Sequence, residues 1–193
     1  DLITNMKEEF NFHVLYYSDD DFKYHVTSFL PFDKITSTLG PYSQYTTLNL
    51  YNDTFNRDIK ILIDTLKIDL IHMYLDIFKV AKERSIPVIY TLHDFYSICP
   101  SVKLFNKETF LCNYANAAGC GSCIAKTFNL NINFIPLWRK EFYENLKTVK
   151  KIIVPSYSTK NIFLNTYKDL TIEVVEHGYD KINRKPNNDN PDK

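Results

Sequence analysis

From Phe55 to Val175 the chain alternates between two hydrophobic periods, and that alternation restricts the fold more than any other feature. Phe55, Ile59, Leu62, Ile63 and Leu66 recur at helical spacing, with Arg57, Asp58, Lys60 and Asp64 on the opposite face. The apolar run Leu70-Ile71-His72-Met73 reads as a strand, Leu75 to Arg84 as a second helix, and Pro87 opens the strand Val88-Ile89-Tyr90-Thr91-Leu92. That is a β-α-β unit, whose two strands must be parallel. The alternation returns with Trp138, Phe142, Leu146 and Val149 on a helix, then the strand Ile152-Ile153-Val154. A helix follows that Ser156 or Ser158 can cap and that carries Ile162 and Phe163, and then a last strand from Thr171 to Val175. The pattern predicts an α/β fold: a Rossmann-like, doubly wound, mostly parallel sheet with helices on both faces.

The N-terminal third has a different rhythm. Leu2, Met6 and Phe10 lie four apart and predict a helix, while Phe12 to Tyr17 is rich in β-formers and stops at the polar cluster Ser18-Asp19-Asp20-Asp21. Tyr24 to Leu50, with Gly40-Pro41 and many Thr and Ser residues, predicts short strands and loops. The chain opens without methionine, directly in what reads as helix, so further sequence is expected upstream. Residues 183–193 contain no apolar side chain and two prolines, which suits a linker toward a further domain. The expected organisation is therefore one domain over residues 1–182 and a linker over 183–193.

At 193 residues and 45% apolar content the chain can bury one good core. Its 23 basic and 23 acidic side chains cancel, which removes the electrostatic footprint that nucleic acid selects. No apolar run is long enough to cross a bilayer and no leader opens the chain, so the covered residues read as soluble, and a cytoplasmic location is expected. Four glycines are few, and none forms a G-x-G-x-x-G phosphate loop. A nucleotide, if one binds, is expected on another domain.

The strand Val88 to Leu92 ends in His93-Asp94, followed by Phe95-Tyr96-Ser97-Ile98-Cys99-Pro100. In open α/β sheets the carboxyl ends of the strands face ligand, so titratable residues there are the first catalytic candidates. His93 is the leading one, against the alternative of a structural histidine bonded to a backbone carbonyl. Asp94 can orient that imidazole, bind a hydroxyl, or simply hold a turn. His72 ends a second predicted strand, with Tyr74 two residues on. Tyr96, with Phe95, Phe105 and Tyr114, can stack on a sugar ring or pack in the core. Ser156, where a strand gives way to a helix, can meet an anionic or hydroxyl-rich ligand or act as a plain cap.

The four cysteines, Cys99, Cys112, Cys120 and Cys123, fall in one region, expected as a loop over 99–123, and the last two form a C-x-x-C. Four clustered thiolates suit a tetrahedral structural zinc. Free thiols and disulfides are the alternatives.

Four blocks occur in a telling order: Ile68-Asp69-Leu70-Ile71-His72, Pro87-Val88-Ile89-Tyr90-Thr91-Leu92-His93-Asp94, Ile152-Ile153-Val154-Pro155-Ser156 and Glu176-His177-Gly178-Tyr179-Asp180. Together they resemble the N-terminal, acceptor-side half of a glycosyltransferase family 4 enzyme. The resemblance implies one half of a GT-B fold, with a donor-binding second domain following the linker. It implies transfer of a sugar from a nucleotide-sugar donor to a glycan or lipid-linked acceptor, with retention of configuration and no cofactor required for the chemistry. Cell-surface polysaccharide assembly, with peripheral association at the inner face of the membrane, is the implied setting. His93 matches the family histidine near the donor sugar, His72 an acceptor-side contact, and Tyr74 stands where many members carry a second histidine. Gly178 matches the glycine at the interdomain crossing, where a turn with positive φ and close approach is expected. A cysteine-rich insertion after the His-Asp strand occurs in a subset of the family. The alternative is a non-catalytic, zinc-stabilised interaction module of the same fold; another α/β enzyme sharing only the His-Asp strand end ranks last.

Overall fold

The structure, a computed structural model, describes residues 3, 6, 8–18, 20–29, 34–40, 53–73, 77–104, 112 and 117–178. Most of the expected first helix, the stretch 41–52 and the tail from 179 lie outside these residues. The chain divides into two compact units: one runs up to Ile71 and includes Leu75–Val88, and the other comprises His72–Tyr74 and the chain from Ile89 onward.

The first unit opens with an antiparallel meander of β1 (Phe12–Ser18), β2 (Lys23–Phe29) and β3 (Lys34–Leu39), in the order β1-β2-β3. Phe12 stands opposite Phe29 and Ser18 opposite Lys23. The run Phe12 to Tyr17 is therefore no strand of the parallel sheet. Ser18 and Lys23 are separated by too few residues for a parallel crossover, which needs a dozen or more. The polar cluster is instead the hairpin turn, where the Asp20 amide donates to Ser18 Oγ (3.3 Å) and the Lys23 amide to Asp21 Oδ1 (3.3 Å). Strand β2 buries Tyr24, Val26, Thr27 and Ser28.

Helix α1 (Asp53–Leu66) buries Phe55, Ile59 and Ile63, the stripe that its 3.6-residue period dictates, and the Phe55 ring lies 4.9 Å from that of Tyr24. Helix α2 (Phe78–Glu83) packs on α1 and is tied to it by the exposed pairs Arg84–Asp64 and Lys60–Glu83. In this glycine-poor chain the left-handed residues that close helices are not glycines: Lys67 (φ 53°) ends α1 and Ser85 (φ 53°) ends α2. Each is followed by a 6→1 bond, Ile68 to the Ile63 carbonyl (3.1 Å) and Ile86 to the Ala81 carbonyl (3.0 Å), so both helices end in Schellman turns.

The second unit holds β4 (Ile71–Met73), β5 (Val88–Thr91), β6 (Lys151–Val154) and β7 (Ile172–Val174) in one sheet, except for the first residues of β4 and β5. The order is β4-β5-β6-β7, with β5, β6 and β7 parallel; Tyr90 stands opposite Ile152 and Ile153 opposite Glu173. The expected α/β class with parallel strands is present. Spatial order follows chain order, however, and the reversal that defines a doubly wound sheet does not occur among the described strands.

Among the described residues three helices belong to this unit: α3 (Ala117–Phe128), α4 (Phe134–Leu146) and α5 (Tyr157–Thr166). The α4 stripe Ile135, Trp138, Phe142 and Leu146 is buried, as are Ile152 and Val154 of β6, Phe163 of α5 and Ile172 of β7. Helix α3 corrects the expectation of a loop across 99–123, because Cys120 and Cys123 stand one turn apart on it. Its glycines hide it from a propensity reading. Gly121 has a packing reason: a Cβ there would collide with the Ile132 carbonyl of the α3–α4 connection.

Candidate functional site

Parallel pairing with β6 delivers two histidines to one edge of the sheet. Beyond β5 the Leu92 amide still donates to the Ile153 carbonyl (2.9 Å), and beyond β7 the Val175 amide donates to the Val154 carbonyl (2.9 Å). His93 and His177 follow these last ladder bonds from the two sides of β6, and both residues are exposed. Their rings stack with centroids 5.5 Å apart and planes 7° from parallel. His93 is thus at the carboxyl edge and outside the core, where a ligand-facing histidine belongs.

A third imidazole stands beside them. His72 Nε2 lies 2.6 Å from the hydroxyl of Thr91, a buried β5 residue. Burial lowers the His72 pKa below the ordinary histidine value, and the charge of His93 lowers it further. Tyr74 lies outside the described residues. The other two histidines belong to the meander of the first unit, His13 against Ser28 Oγ (2.8 Å) and His25 against the Asp21 carboxylate (3.0 Å).

The segment after His93 is clamped by its own backbone and by two helices. Asp94 Oδ1 accepts from the Tyr96 amide at 2.9 Å, so this carboxylate holds the turn that sequence admitted as one of its roles. Three consecutive carbonyls then each receive a side-chain donor: Tyr96 from Trp138 Nε1 (2.8 Å), Ser97 from the Tyr167 hydroxyl (2.5 Å) and Ile98 from Arg139 Nε (3.0 Å). Trp138 and Arg139 sit on α4 and Tyr167 caps α5, so the loop that aims His93 is fixed to the helical layer. Burial pushes the Tyr167 phenol well above its ordinary value, which keeps it a neutral donor. Ser97 Oγ is buried with no hydrogen-bond partner among the described residues.

The remaining candidates fall as follows. The Tyr96 ring packs edge-on against Trp138 (4.9 Å) and Phe142 (5.6 Å), and Phe95 stacks on Phe163 (5.7 Å), so both aromatics serve internal packing. Ser156 caps α5, its hydroxyl accepting from the Thr159 amide at 3.2 Å. The φ of Gly178 is not positive, unlike the expected turn, and among the described residues a Cβ there would meet nothing within 4 Å. His177, its neighbour, is the residue that sequence reasoning undervalued. The signal was available, since it is a titratable side chain just past a parallel strand, the same rule that singled out His93.

All four cysteines are free thiols. Cys120 is buried with Ile124 and Ile135, Cys99 packs on the same cluster, and Arg139 Nη2 lies 3.4 Å from Cys120 Sγ. Burial raises the Cys120 pKa; the Arg139 charge opposes this, and the charges of Cys112 and Cys99 add to it. The donors have the chemistry of a zinc site. Among the described residues, however, no three His, Cys, Asp or Glu side chains stand where one ion could be shared.

No protein-family model, curated protein or solved structure matches the chain.

Proposed function

We propose that the protein is the acceptor-side half of a retaining glycosyltransferase. It moves a sugar from a nucleotide-sugar donor, held by a second domain of the full-length gene product, to a glycan or lipid-linked acceptor in cell-surface polysaccharide assembly. The reading rests on the order of the four sequence blocks, and one structural observation carries it further: His93 leaves the carboxyl end of a parallel strand exposed, beside a second imidazole. A core histidine at this position would have argued against it.

In this role His93 donates to a hydroxyl of the transferred sugar and offsets charge as the glycosidic bond to phosphate loosens toward an oxocarbenium-like transition state. His72, kept neutral by its environment, contacts the acceptor through its ring. Asp94 and the Trp138, Tyr167 and Arg139 donors hold the loop in place. No metal takes part. The setting is cytoplasmic, at the inner membrane face; among the described residues no helix is long and apolar enough to cross a membrane.

The test incubates the full-length gene product with a panel of nucleotide sugars and candidate acceptors and assigns the anomeric configuration of the product by NMR. Transfer with retention is expected. Inversion, or no transfer from any donor, overturns the proposal. The engagement of Asp94 and Tyr96 in internal contacts favours a second reading, a non-catalytic interaction module, which the same absence of transfer would support.

A further inference from the structure

The His93–His177 stack does more than a sugar hydroxyl needs. A neutral imidazole suffices to donate to a hydroxyl, and one ring would do. Two exposed rings held nearly parallel, with centroids 5.5 Å apart, repel when both carry a proton, and an anion bound to both relieves that repulsion. We propose that His93 and His177 together form a phosphate-binding site, so that the sugar-transfer substrate held here is a phosphate or pyrophosphate ester gripped by two imidazoles. This deepens the glycosyltransferase reading and rests on it for the word substrate, but the anion site is a property of these residues alone.

The surroundings fit a negative guest. The two rings come from the segments after β5 and β7 and flank the end of β6, the strand that leads directly into α5. No acidic residue lies in the first turn of α5, and its first charged residue is Lys160. From β4 the facing titratable group is His72. On the imidazoles' own segments the acidic neighbours are Asp94, whose Oδ1 is engaged by the Tyr96 amide, and Glu176. The chain has no glycine-rich phosphate loop, so imidazole donors take the part that backbone amides play in such loops.

Two sources share this chemistry: the diphosphate of a nucleotide sugar and the pyrophosphate of a lipid-linked acceptor. The test is an NMR titration of the five imidazoles of the 193-residue chain with inorganic pyrophosphate, UDP and a short polyprenyl pyrophosphate in separate arms. The His93 and His177 resonances are expected to move, those of His13 and His25 to stay. His177→Asn and His93→Asn, each at an exposed position, should weaken binding by about tenfold or more. A polyprenyl arm tighter than pyrophosphate assigns the site to the acceptor, and a UDP arm tighter than pyrophosphate assigns it to the donor.

Rings unmoved by millimolar pyrophosphate, or binding unchanged in both Asn variants, would overturn the proposal. Transfer that persists without anion binding sinks this site and leaves the transferase reading standing. Anion binding without transfer by the full-length gene product does the reverse.

Discussion

Tyr167→Phe removes one oxygen from the clamp on the His93 loop and leaves the ring in place. The phenol donates to the Ser97 carbonyl at 2.5 Å, with Tyr167 3% and Ser97 2% exposed, so water cannot replace it. The variant loses a net hydrogen bond and strands a buried acceptor beside Ser97 Oγ, which already has no partner among the described residues. Together these effects lower the unfolding free energy by about 1–3 kcal/mol. At roughly 2–4 °C per kcal/mol for a chain of this size, the melting temperature should fall by about 2–12 °C. The control is Tyr143→Phe, whose hydroxyl donates to the exposed Asp169 carboxylate at 2.6 Å and whose loss water can compensate. Calorimetry or circular dichroism of both variants decides. A Tyr167→Phe protein that melts with the wild type, or no earlier than Tyr143→Phe, would show that the loop is not held by these donors.

Three further outcomes are expected. Gly121→Ala should destabilise the protein despite the better helix propensity of alanine, because the new methyl meets the Ile132 carbonyl; equal or higher stability in urea unfolding contradicts the packing of α3 on its connection. In an NMR titration His72 should have a midpoint below the ordinary histidine value of about 6.5, and His93→Ala should raise it only part of the way, since burial is the larger cause. Because the unfolded state then binds the proton more readily, the stability gained from His72 is complete above about pH 6.5 and is lost as pH falls through the native value; His13, lowered by burial, adds the same sign. Alkylation followed by mass spectrometry should find Cys120 the slowest of the four thiols, its thiolate suppressed by burial; equal protection of all four, released by a chelator, would instead reveal a shared zinc.

Periodicity carried the fold from Phe55 onward, because each amphipathic helix and each short apolar strand advertises itself within a few residues: the α1 stripe Phe55, Ile59 and Ile63 and the strand Lys151–Val154 lie where the pattern puts them. Where pairing partners decide, the pattern was silent. Phe12–Ser18 looks like any strand, and only the short connection to Lys23 makes it half of a hairpin. The clamp on the loop joins residues 41, 42 and 70 positions apart, and the His93–His177 stack needs the register of β6 between them; neither distance can be computed from local pattern. A buried Trp and Tyr each require a partner for the polar atom, so the sequence posed the question of who accepts from Trp138 and Tyr167 without naming the acceptor. For the cysteines the spacing does not say which partners meet: two of the four stand on a helix, and among the described residues no three possible ligands share a site.

In the proposed role His93 faces the ligand while the side chains behind it only hold its loop. Transfer rate and melting temperature, measured together on full-length His93→Ala and Tyr167→Phe, test it most directly. His93→Ala should melt with the wild type and lose about 100-fold or more in rate, as expected for removal of a charge-stabilising donor, while Tyr167→Phe should melt earlier yet transfer near the wild-type rate at temperatures where it is folded. Undiminished transfer by His93→Ala would contradict it.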